Sequence, residues 1–297
     1  MSDFNEVTAT AAVIDRMSGC KDARLKRVMA SLVTHLHAVL REVEPSVEEW
    51  MAAIQFLTAA GQKCDDKRQE FILLSDVLGV SMLVDAINHR KPSGATESTV
   101  LGPFYVPDSP LREYGANIAS QPAGDPAWVS GRVLTTDGDP IAGAELDVWQ
   151  NGDNELYAVQ DADAPEEHLR ARFRTRDDGT YGFIGVRPVP YRIPSDGPVG
   201  RMLQATGRHP WRPAHIHLIV RARGYRTLTT HIFDSTSEHL DADAVFAVKP
   251  SLLRAFVRRS ADDPAAPPGI AGDWYSVEND LVLAAGTGGE ADDGRTA

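Results

Sequence analysis

The hydrophobic period of this sequence changes near residue 95, and this change constrains the fold more than any other feature. Between Leu25 and Val43, apolar side chains recur every three or four positions, which is the spacing of one helix face. From Trp128 onward, apolar and polar residues alternate in short runs that are separated by turns such as TTDGDP and DDGT. We therefore predict an α+β chain, with an all-α N-terminal domain followed by an antiparallel β-sandwich.

Local signals predict individual helices in the first part. One helix covers the run from Leu25 to Val43, and a second begins at Ser46-Val-Glu-Glu49 and ends near Gly61. Ser46 and Glu49 have the spacing of a capping box, in which each side chain accepts a hydrogen bond from the backbone of the other. A third helix is predicted from about Asp65 to Asn88, and a further one near residues 4 to 17.

Composition sets the domain boundaries. Residues 1–95 are assigned to the helical domain and residues 128–283 to the sandwich. Residues 96–127 are rich in Pro, Gly and Ser and show no helical period, so they are predicted to form a linker. The last segment, 284–297, contains GGEADDGRTA and is predicted to be a flexible acidic tail.

Charge and cysteine content exclude several classes of protein. The chain has 42 acidic and 30 basic residues and a formal net charge of −12, which argues against nucleic acid as a partner. Its two cysteines lie far apart and predict neither a disulfide framework nor a thiolate zinc site. No apolar run approaches the roughly 20 residues that span a bilayer, and the N-terminus has no secretion signal. We expect a cytoplasmic protein that is not embedded in a membrane.

Two pairs of histidines share the spacing His-x-His but not the same local structure. In THLHAVL, His35 and His37 fall in a predicted helix, where positions i and i+2 point to different sides. In RPAHIHLIV, His215 and His217 fall in a predicted strand, where positions i and i+2 project from the same face. The second pair could therefore bind one metal ion, although on spacing alone such a pair is more often made of ordinary core or surface histidines.

Other side chains must complete such a site. A carboxylate from Asp147 or Asp234 would give a two-histidine, one-carboxylate ferrous site, and the residues alone do not exclude it. Tyr157 in NELYAVQD and Tyr191 in PVPYRIPSDGP are alternative donors, and each would more often be a structural tyrosine if considered alone.

Several segments resemble the intradiol ring-cleaving dioxygenases, the family of catechol, chlorocatechol and hydroxyquinol 1,2-dioxygenases. The resemblance covers nearly all of the predicted sandwich, and the N-terminal part fits the helical domain of that family. The matching segments are TVLGPFYVPDSP, GAELDVWQNGDNELYAVQD, FRTRDDGTYGFIGVRPVPYRIPSDGPVG, HPWRPAHIHLIV and the stretch from Tyr225 to Leu253.

The resemblance implies one non-haem Fe(III) per subunit. Carried over by position, its ligands are Tyr157, Tyr191, His215 and His217, with Tyr191 and His217 as the axial pair. Two phenolates suit this ion because a highly charged cation removes the phenol proton and is partly neutralised by the phenolate. In the family, Tyr191 would also accept a substrate proton, and Arg212 would stabilise negative charge on the ring. The resemblance places His231 near the open coordination side, with either a structural or a catalytic role.

The preferred diol depends on the residues around the metal. If Leu73 faces the pocket, Asp76 lies on the same helix face and can accept a hydrogen bond from a third hydroxyl group. We therefore expect hydroxyquinol (1,2,4-trihydroxybenzene) as the substrate, with O2 as co-substrate and maleylacetate as the tautomerised product. Catechol and chlorocatechol are the alternatives, and a non-catalytic binding module of the same fold is a more distant one. The other expected pocket residues are Val100, Leu101, Gly102, Pro103, Phe104, Ile193, Pro194 and Val245.

The resemblance also implies a homodimer formed through the N-terminal helices, with a lipid bound at the interface. The apolar residues between Leu25 and Val43 are compatible with such an interface, and equally with an ordinary helical core.

Overall fold

The structure, a computed structural model, describes residues 4–65, 68–90, 92 and 94–286. The predicted acidic tail lies outside the described residues from position 287 onward. The helices within these ranges are α1 (Ala9–Arg16), α2 (Ala23–Val43), α3 (Val47–Lys63), α4 (Glu70–Val77), α5 (Val80–Asn88) and α6 (Pro198–Ala205). None of the described helices is both long and apolar enough to cross a bilayer.

The first helices form as their sequences predict. At the start of α2, the Asp22 carboxylate accepts hydrogen bonds from the backbone N–H groups of Arg24 and Leu25, at 2.8 and 3.0 Å. At the start of α3, Ser46 N–H donates to Glu49 at 2.8 Å, and Glu49 N–H donates to the Ser46 hydroxyl at 3.2 Å. The capping box is therefore confirmed.

The single helix predicted from about Asp65 to Asn88 is wrong. The chain forms α4 and α5 instead, separated by Leu78 and Gly79. Gly79 has a φ of +72°, a left-handed conformation that ends α4 and that glycine adopts at little cost. The break matters for the site because Asp76 lies in the last turn of α4.

The described residues divide into two compact units between Ala59 and Ala60. In the first unit, α1 packs on α2, and the Arg41 side chain donates to the Glu6 carbonyl and to the Thr10 hydroxyl. His35 and His37 lie on α2, and the Nδ1 atom of His37 hydrogen-bonds to Thr10, so this pair of histidines has an ordinary helical role.

The second unit contains two five-stranded sheets. The strands are β1 (Pro126–Thr135), β2 (Glu145–Trp149), β3 (Arg170–Arg174), β4 (Thr180–Val186), β5 (Tyr191–Arg192), β6 (Trp211–Arg212), β7 (His215–Arg221), β8 (Leu228–Asp234), β9 (Leu253–Arg254), β10 (Val257–Arg259), β11 (Trp274–Glu278) and β12 (Leu281–Leu283). One sheet has the order β10-β11-β1-β12 with β4 also paired to β1, and the other has the order β3-β2-β7-β8-β9. Pairing is antiparallel except for β1 with β11 and β12 and for β8 with β9. The α+β fold class is confirmed, with mixed sheets in the β-rich part.

Strand β7 separates the core from the predicted site. Ile216, Leu218 and Val220 belong to the buried apolar cluster between the two sheets. Because side chains alternate along a strand, His215 and His217 project from the opposite face. In the adjacent strands, Trp149 and His231 both lie opposite His217.

Candidate metal centre

The four predicted ligands come together in one buried cluster. The Nε2 atom of His217 lies 3.1 Å from the Nε2 atom of His215 and 3.1 Å from the Tyr157 phenol oxygen. The Tyr191 ring lies at 5.2 Å from the Tyr157 ring, measured between centroids. Each of the four side chains is at most 2% exposed.

Different parts of the chain supply these donors. His215 and His217 lie on β7, whereas Tyr191 lies on β5, the partner of β6. Tyr157 belongs to a loop, where its backbone N–H donates to the Gln160 side chain at 3.1 Å and its carbonyl accepts from the Gln160 N–H at 2.8 Å. A tight turn thus fixes the one predicted ligand that no strand carries.

Both histidine rings are oriented to offer Nε2 to a metal. The Nδ1 atom of His215 donates to the Pro213 carbonyl at 2.7 Å, so the lone pair of the neutral ring is on Nε2. The Nδ1 atom of His217 lies 2.8 Å from His231 Nε2, which leaves the Nε2 atom of His217 facing Tyr157. Hydrogen bonds on the other ring nitrogen are what a metal-binding histidine usually has.

Burial sets the protonation states of the donors. It lowers the pKa of His215 and of His217 well below the usual value, and the Arg212 charge lowers both further. These rings are therefore neutral, which is the form that binds metals. Burial also raises the pKa of the Tyr157 phenol well above its usual value. Only a strong cation would turn this phenol into a phenolate at neutral pH, and two phenolates with two imidazoles suit a hard trivalent ion.

His231 belongs to the same cluster of rings but lies behind His217. The three rings of His215, His217 and His231 have nitrogens within 4.8 Å of one another and could together hold an ion. However, the two nitrogens of His231 already face His217 Nδ1 at 2.8 Å and the Thr99 hydroxyl at 3.1 Å. This geometry favours a supporting position for His231, in which it orients a ligand.

The two carboxylates considered from the sequence are engaged elsewhere. Asp147 accepts a hydrogen bond from Tyr105 at 3.0 Å, and Asp234 accepts one from Arg187 at 2.8 Å. Within the described part of the chain, only one group of His, Cys, Asp or Glu side chains is close enough together to hold an ion. It consists of His215, His217 and His231 and contains no carboxylate. The described residues therefore do not form a two-histidine, one-carboxylate site.

Arg212 lies between the cluster and a carboxylate. Its Nη1 atom is 3.2 Å from the Tyr191 phenol oxygen and 3.2 Å from His215 Nε2. Its Nε atom donates to Asp243 at 3.1 Å. Burial alone would lower the pKa of Arg212, but the neighbouring Asp243 carboxylate raises it above the usual value, so a cation is maintained beside the donors.

The segment between residues 99 and 104 packs directly on the donors. A Cβ atom at Gly102 would lie 3.1 Å from Cε1 of His217, and the Phe104 ring stacks on the Tyr157 ring with a centroid distance of 4.6 Å. The remaining predicted residues of this segment are less enclosed: Val100 and Leu101 are half-buried, and Pro103 is exposed.

The other predicted pocket residues are mostly buried. Leu73, Ile193 and Val245 are buried, and Pro194 is half-buried. Asp76 is 7% exposed, and burial raises the pKa of its carboxyl group. A hydrogen bond from the Ser81 side chain and, to a smaller extent, the Arg212 charge lower that pKa in turn.

Some contacts at the site had no signal in the sequence. Trp149 stacks on His217 with a centroid distance of 4.6 Å, and Asp243 pairs with Arg212. Thr99 is linked to His231. Trp149 and His217 face each other across β2 and β7, so only a knowledge of strand order and register could have predicted their contact.

Comparison with known proteins identifies the family. A family model described as "Dioxygenase" matches residues 100–283, and one described as "Catechol dioxygenase N terminus" matches residues 22–96. The chain belongs to the intradiol ring-cleavage dioxygenase family, and the predicted oxidoreductase class is confirmed.

Relatives within this family agree over nearly the whole chain. A hydroxyquinol 1,2-dioxygenase of Rhizobium sp. (strain MTP-10005) is 53% identical over 95% of this chain and 96% of its own. A 6-chlorohydroxyquinol 1,2-dioxygenase of Cupriavidus pinatubonensis is 48% identical over 88% of this chain and 94% of its own. The crystal structure of hydroxyquinol 1,2-dioxygenase from Pseudomonas putida DLL-E4 matches with a TM-score of 0.90 and 49% identity, over 95% of this chain and 99% of that one.

Proposed function

We propose that this protein cleaves hydroxyquinol between its two adjacent hydroxyl-bearing carbons, inserting both atoms of O2 to give 3-hydroxy-cis,cis-muconate, the tautomer of maleylacetate. The observation that carries the proposal is the convergence of two buried tyrosines and two buried histidines, with Nε2 of His217 only 3.1 Å from both His215 Nε2 and Tyr157 Oη. Intradiol cleavage of a diol is the chemistry that this donor set supports within the family.

One ferric ion per subunit would be held by the Tyr157 and Tyr191 oxygens and by Nε2 of His215 and His217. When bound, Fe(III) activates a chelated diol for attack by O2. The two phenolates would offset two of its three charges, which keeps a hard cation in a site from which water is largely excluded.

Arg212 and Tyr191 would act on the substrate itself. A diol that binds through both oxygens must lose two protons: the phenolate oxygen of Tyr191 would accept one, and a hydroxide from solvent would accept the other. Arg212 is fully charged and buried, and its Nη1 atom lies 3.2 Å from that same oxygen. Its guanidinium would stabilise the negative charge that develops on the deprotonated ring.

Asp76 is the basis for choosing a triol as substrate. Its carboxylate is buried and lies close enough to Arg212 to interact with the guanidinium charge, and the predicted pocket residues Leu73, Ile193 and Val245 are also buried. A third hydroxyl group could donate a hydrogen bond to Asp76 in addition to the one from Ser81, whereas catechol would leave part of that buried carboxylate unsatisfied, at a cost of about 1–3 kcal/mol. The curated relatives named for hydroxyquinol and 6-chlorohydroxyquinol support the same substrate class.

Oxygen uptake with hydroxyquinol, catechol and 4-chlorocatechol as matched substrates tests the proposal. We expect the highest kcat/KM with hydroxyquinol and a product that carries both atoms of labelled O2. A clear preference for catechol would contradict the substrate. Purified protein should also be red to purple from tyrosinate-to-iron charge transfer. A colourless, iron-free protein that stays inactive after iron is added would favour the non-catalytic module instead.

We also propose a homodimer formed through the N-terminal helices, with a lipid at the interface. The supporting observation is that α2 leaves a row of apolar side chains open: Leu25, Leu32, Leu36 and Val43 are 50%, 55%, 53% and 64% exposed. Contiguous exposed apolar surface of this kind marks interaction sites. Sedimentation analysis of the wild type and of L32E/L36E tests the dimer, and native mass spectrometry tests the lipid. A monomeric wild-type chain would contradict both.

A further inference from the structure

Asp243 binds one edge of the Arg212 guanidinium group. The Nε and Nη2 atoms face the two carboxylate oxygens of Asp243, at 3.1 and 3.5 Å, and both side chains are 2% exposed. The remaining nitrogen, Nη1, is the one that faces Tyr191 and His215. A planar guanidinium has a fixed fork geometry, so fixing one edge also fixes the direction in which Nη1 points.

The backbone in turn fixes the Asp243 carboxylate. It accepts hydrogen bonds from the N–H groups of Val245 at 3.3 Å and Ala247 at 2.9 Å. The next residue, Ala244, donates its N–H to the carbonyl of Trp211, directly before Arg212. The carboxylate therefore has little freedom to follow the guanidinium if the arginine moves.

We infer that Asp243 is a positioning residue, whose carboxylate holds Arg212 so that Nη1 points at the Tyr191 oxygen and at the diol bound beside it. The inference rests on the role given to Arg212 in the proposed function. The Asp243 carboxylate makes its hydrogen bonds to Arg212 and to the backbone of Val245 and Ala247, and to none of the predicted metal ligands, so it would act through Arg212.

No other described carboxylate can replace this contact as the structure stands. Among the described residues, Asp243 is the only acidic side chain within ion-pair distance of Arg212. The next carboxylate whose charge interacts with the guanidinium is Asp76. Without Asp243, no described carboxylate would hold the Nε edge of the guanidinium, so Nη1 would be free to move away from Tyr191. Displacements of about 1 Å in such a group can lower the rate about 100-fold.

Steady-state kinetics of the iron-loaded full chain, with hydroxyquinol and O2, test the inference in D243N, R212Q and the double variant. D243N should lower kcat by about tenfold to 100-fold with little change in KM, because the lost interaction acts on the reacting state. Adding D243N to R212Q should lower kcat no further, since residues that act as one unit are not additive. The visible charge-transfer band should remain, which shows that the metal ligands are intact.

Asp241 supplies the matched control, because it is an exposed aspartate two residues away in the same segment. D241N should keep the wild-type kcat. If D243N folds poorly, D243E is measured instead: it keeps the charge but shifts the carboxylate, and an intermediate loss of kcat is expected. Two results would overturn the inference but leave the proposed function standing. One is wild-type kcat in D243N or D243E, and the other is a further loss of kcat when D243N is added to R212Q. Wild-type kcat in R212Q would overturn the proposed role of Arg212 and the inference with it.

Discussion

The Nε2 atom of His231 lies 2.8 Å from the Nδ1 atom of His217, on the side of the ring opposite to the predicted metal position. The second nitrogen of His231 is 3.1 Å from the hydroxyl group of Thr99, so a chain of hydrogen bonds runs from a predicted ligand to the segment before β1. With a metal on Nε2 of His217, Nδ1–H donates to His231, and His231 donates to Thr99.

This relationship predicts that His231 supports metal binding without being a ligand. H231L removes the acceptor of His217 Nδ1–H, and we expect about 10- to 100-fold weaker iron affinity, together with a shift of the charge-transfer band. Competition with a chelator measures the affinity. H231Q retains an acceptor and serves as the control, for which we expect a smaller loss. Equal iron affinity in H231L and the wild type would contradict the supporting role.

We predict that position 102 requires glycine because an added side chain would press on His217, and not only because of the backbone conformation there. G102A places a methyl group 3.1 Å from Cε1 of His217, so the ring must shift and iron should bind more weakly. The control is G115A, because Gly115 has a similar φ, +84° against +78°, and nothing within 4 Å of the added Cβ. Both variants should lose roughly 1 kcal/mol of unfolding free energy from strain. Only G102A should lose iron affinity, and equal affinity in the two variants would count against the contact.

Asp76 should determine the choice of substrate. D76N keeps the size of the side chain but removes the charged acceptor for a third hydroxyl group, so kcat/KM for hydroxyquinol should fall by roughly tenfold or more. The kcat/KM for catechol should stay level or rise, because catechol has no third hydroxyl group and a buried carboxylate no longer has to be accommodated. The ratio of the two kcat/KM values is therefore the quantity to measure. An equal loss on both substrates would show that Asp76 serves the fold or the rate, and not selectivity.

The raised pKa of Asp147 predicts that the stability of the protein depends on pH. Burial raises its pKa from 3.8 to about 6, so the folded state binds a proton that the unfolded state has already released between these values. The contribution of this group to the unfolding free energy therefore falls as pH rises from about 4 to about 6, by up to roughly 3 kcal/mol. D147N lacks this titration but keeps a partner for Tyr105.

Urea denaturation of the metal-free wild type and D147N, at pH 4.5 and pH 7.5, measures this effect. Metal-free protein is needed because iron binding itself depends on pH. D147N should gain stability relative to the wild type at the higher pH. D137N, a substitution in an exposed turn, should show no such gain. A difference between wild type and D147N that does not change with pH would contradict the prediction.

Local periodicity was enough to predict much of this protein. Alternation along β7 predicted that His215 and His217 share a face, and the capping box predicted where α3 begins, because both depend only on neighbouring residues. The similarity of whole segments to one family then indicated Tyr157 and Tyr191 as their partners. The break between α4 and α5 was missed because a single glycine is tolerated inside a helical pattern and does not by itself predict that the helix ends.

Only the tertiary structure decided which distant side chains meet. Asp243 reaches Arg212 across 31 positions of sequence, and Thr99 reaches His231 across 132. His231 faces His217 because β7 and β8 pair in one register, and a shift of one residue would turn its ring to the other face of the sheet. Such contacts depend on strand order, register and loop path, which are fixed by the packing of the whole domain. The sequence and its resemblance to one family indicated the predicted donors, and the fold determined which groups orient them.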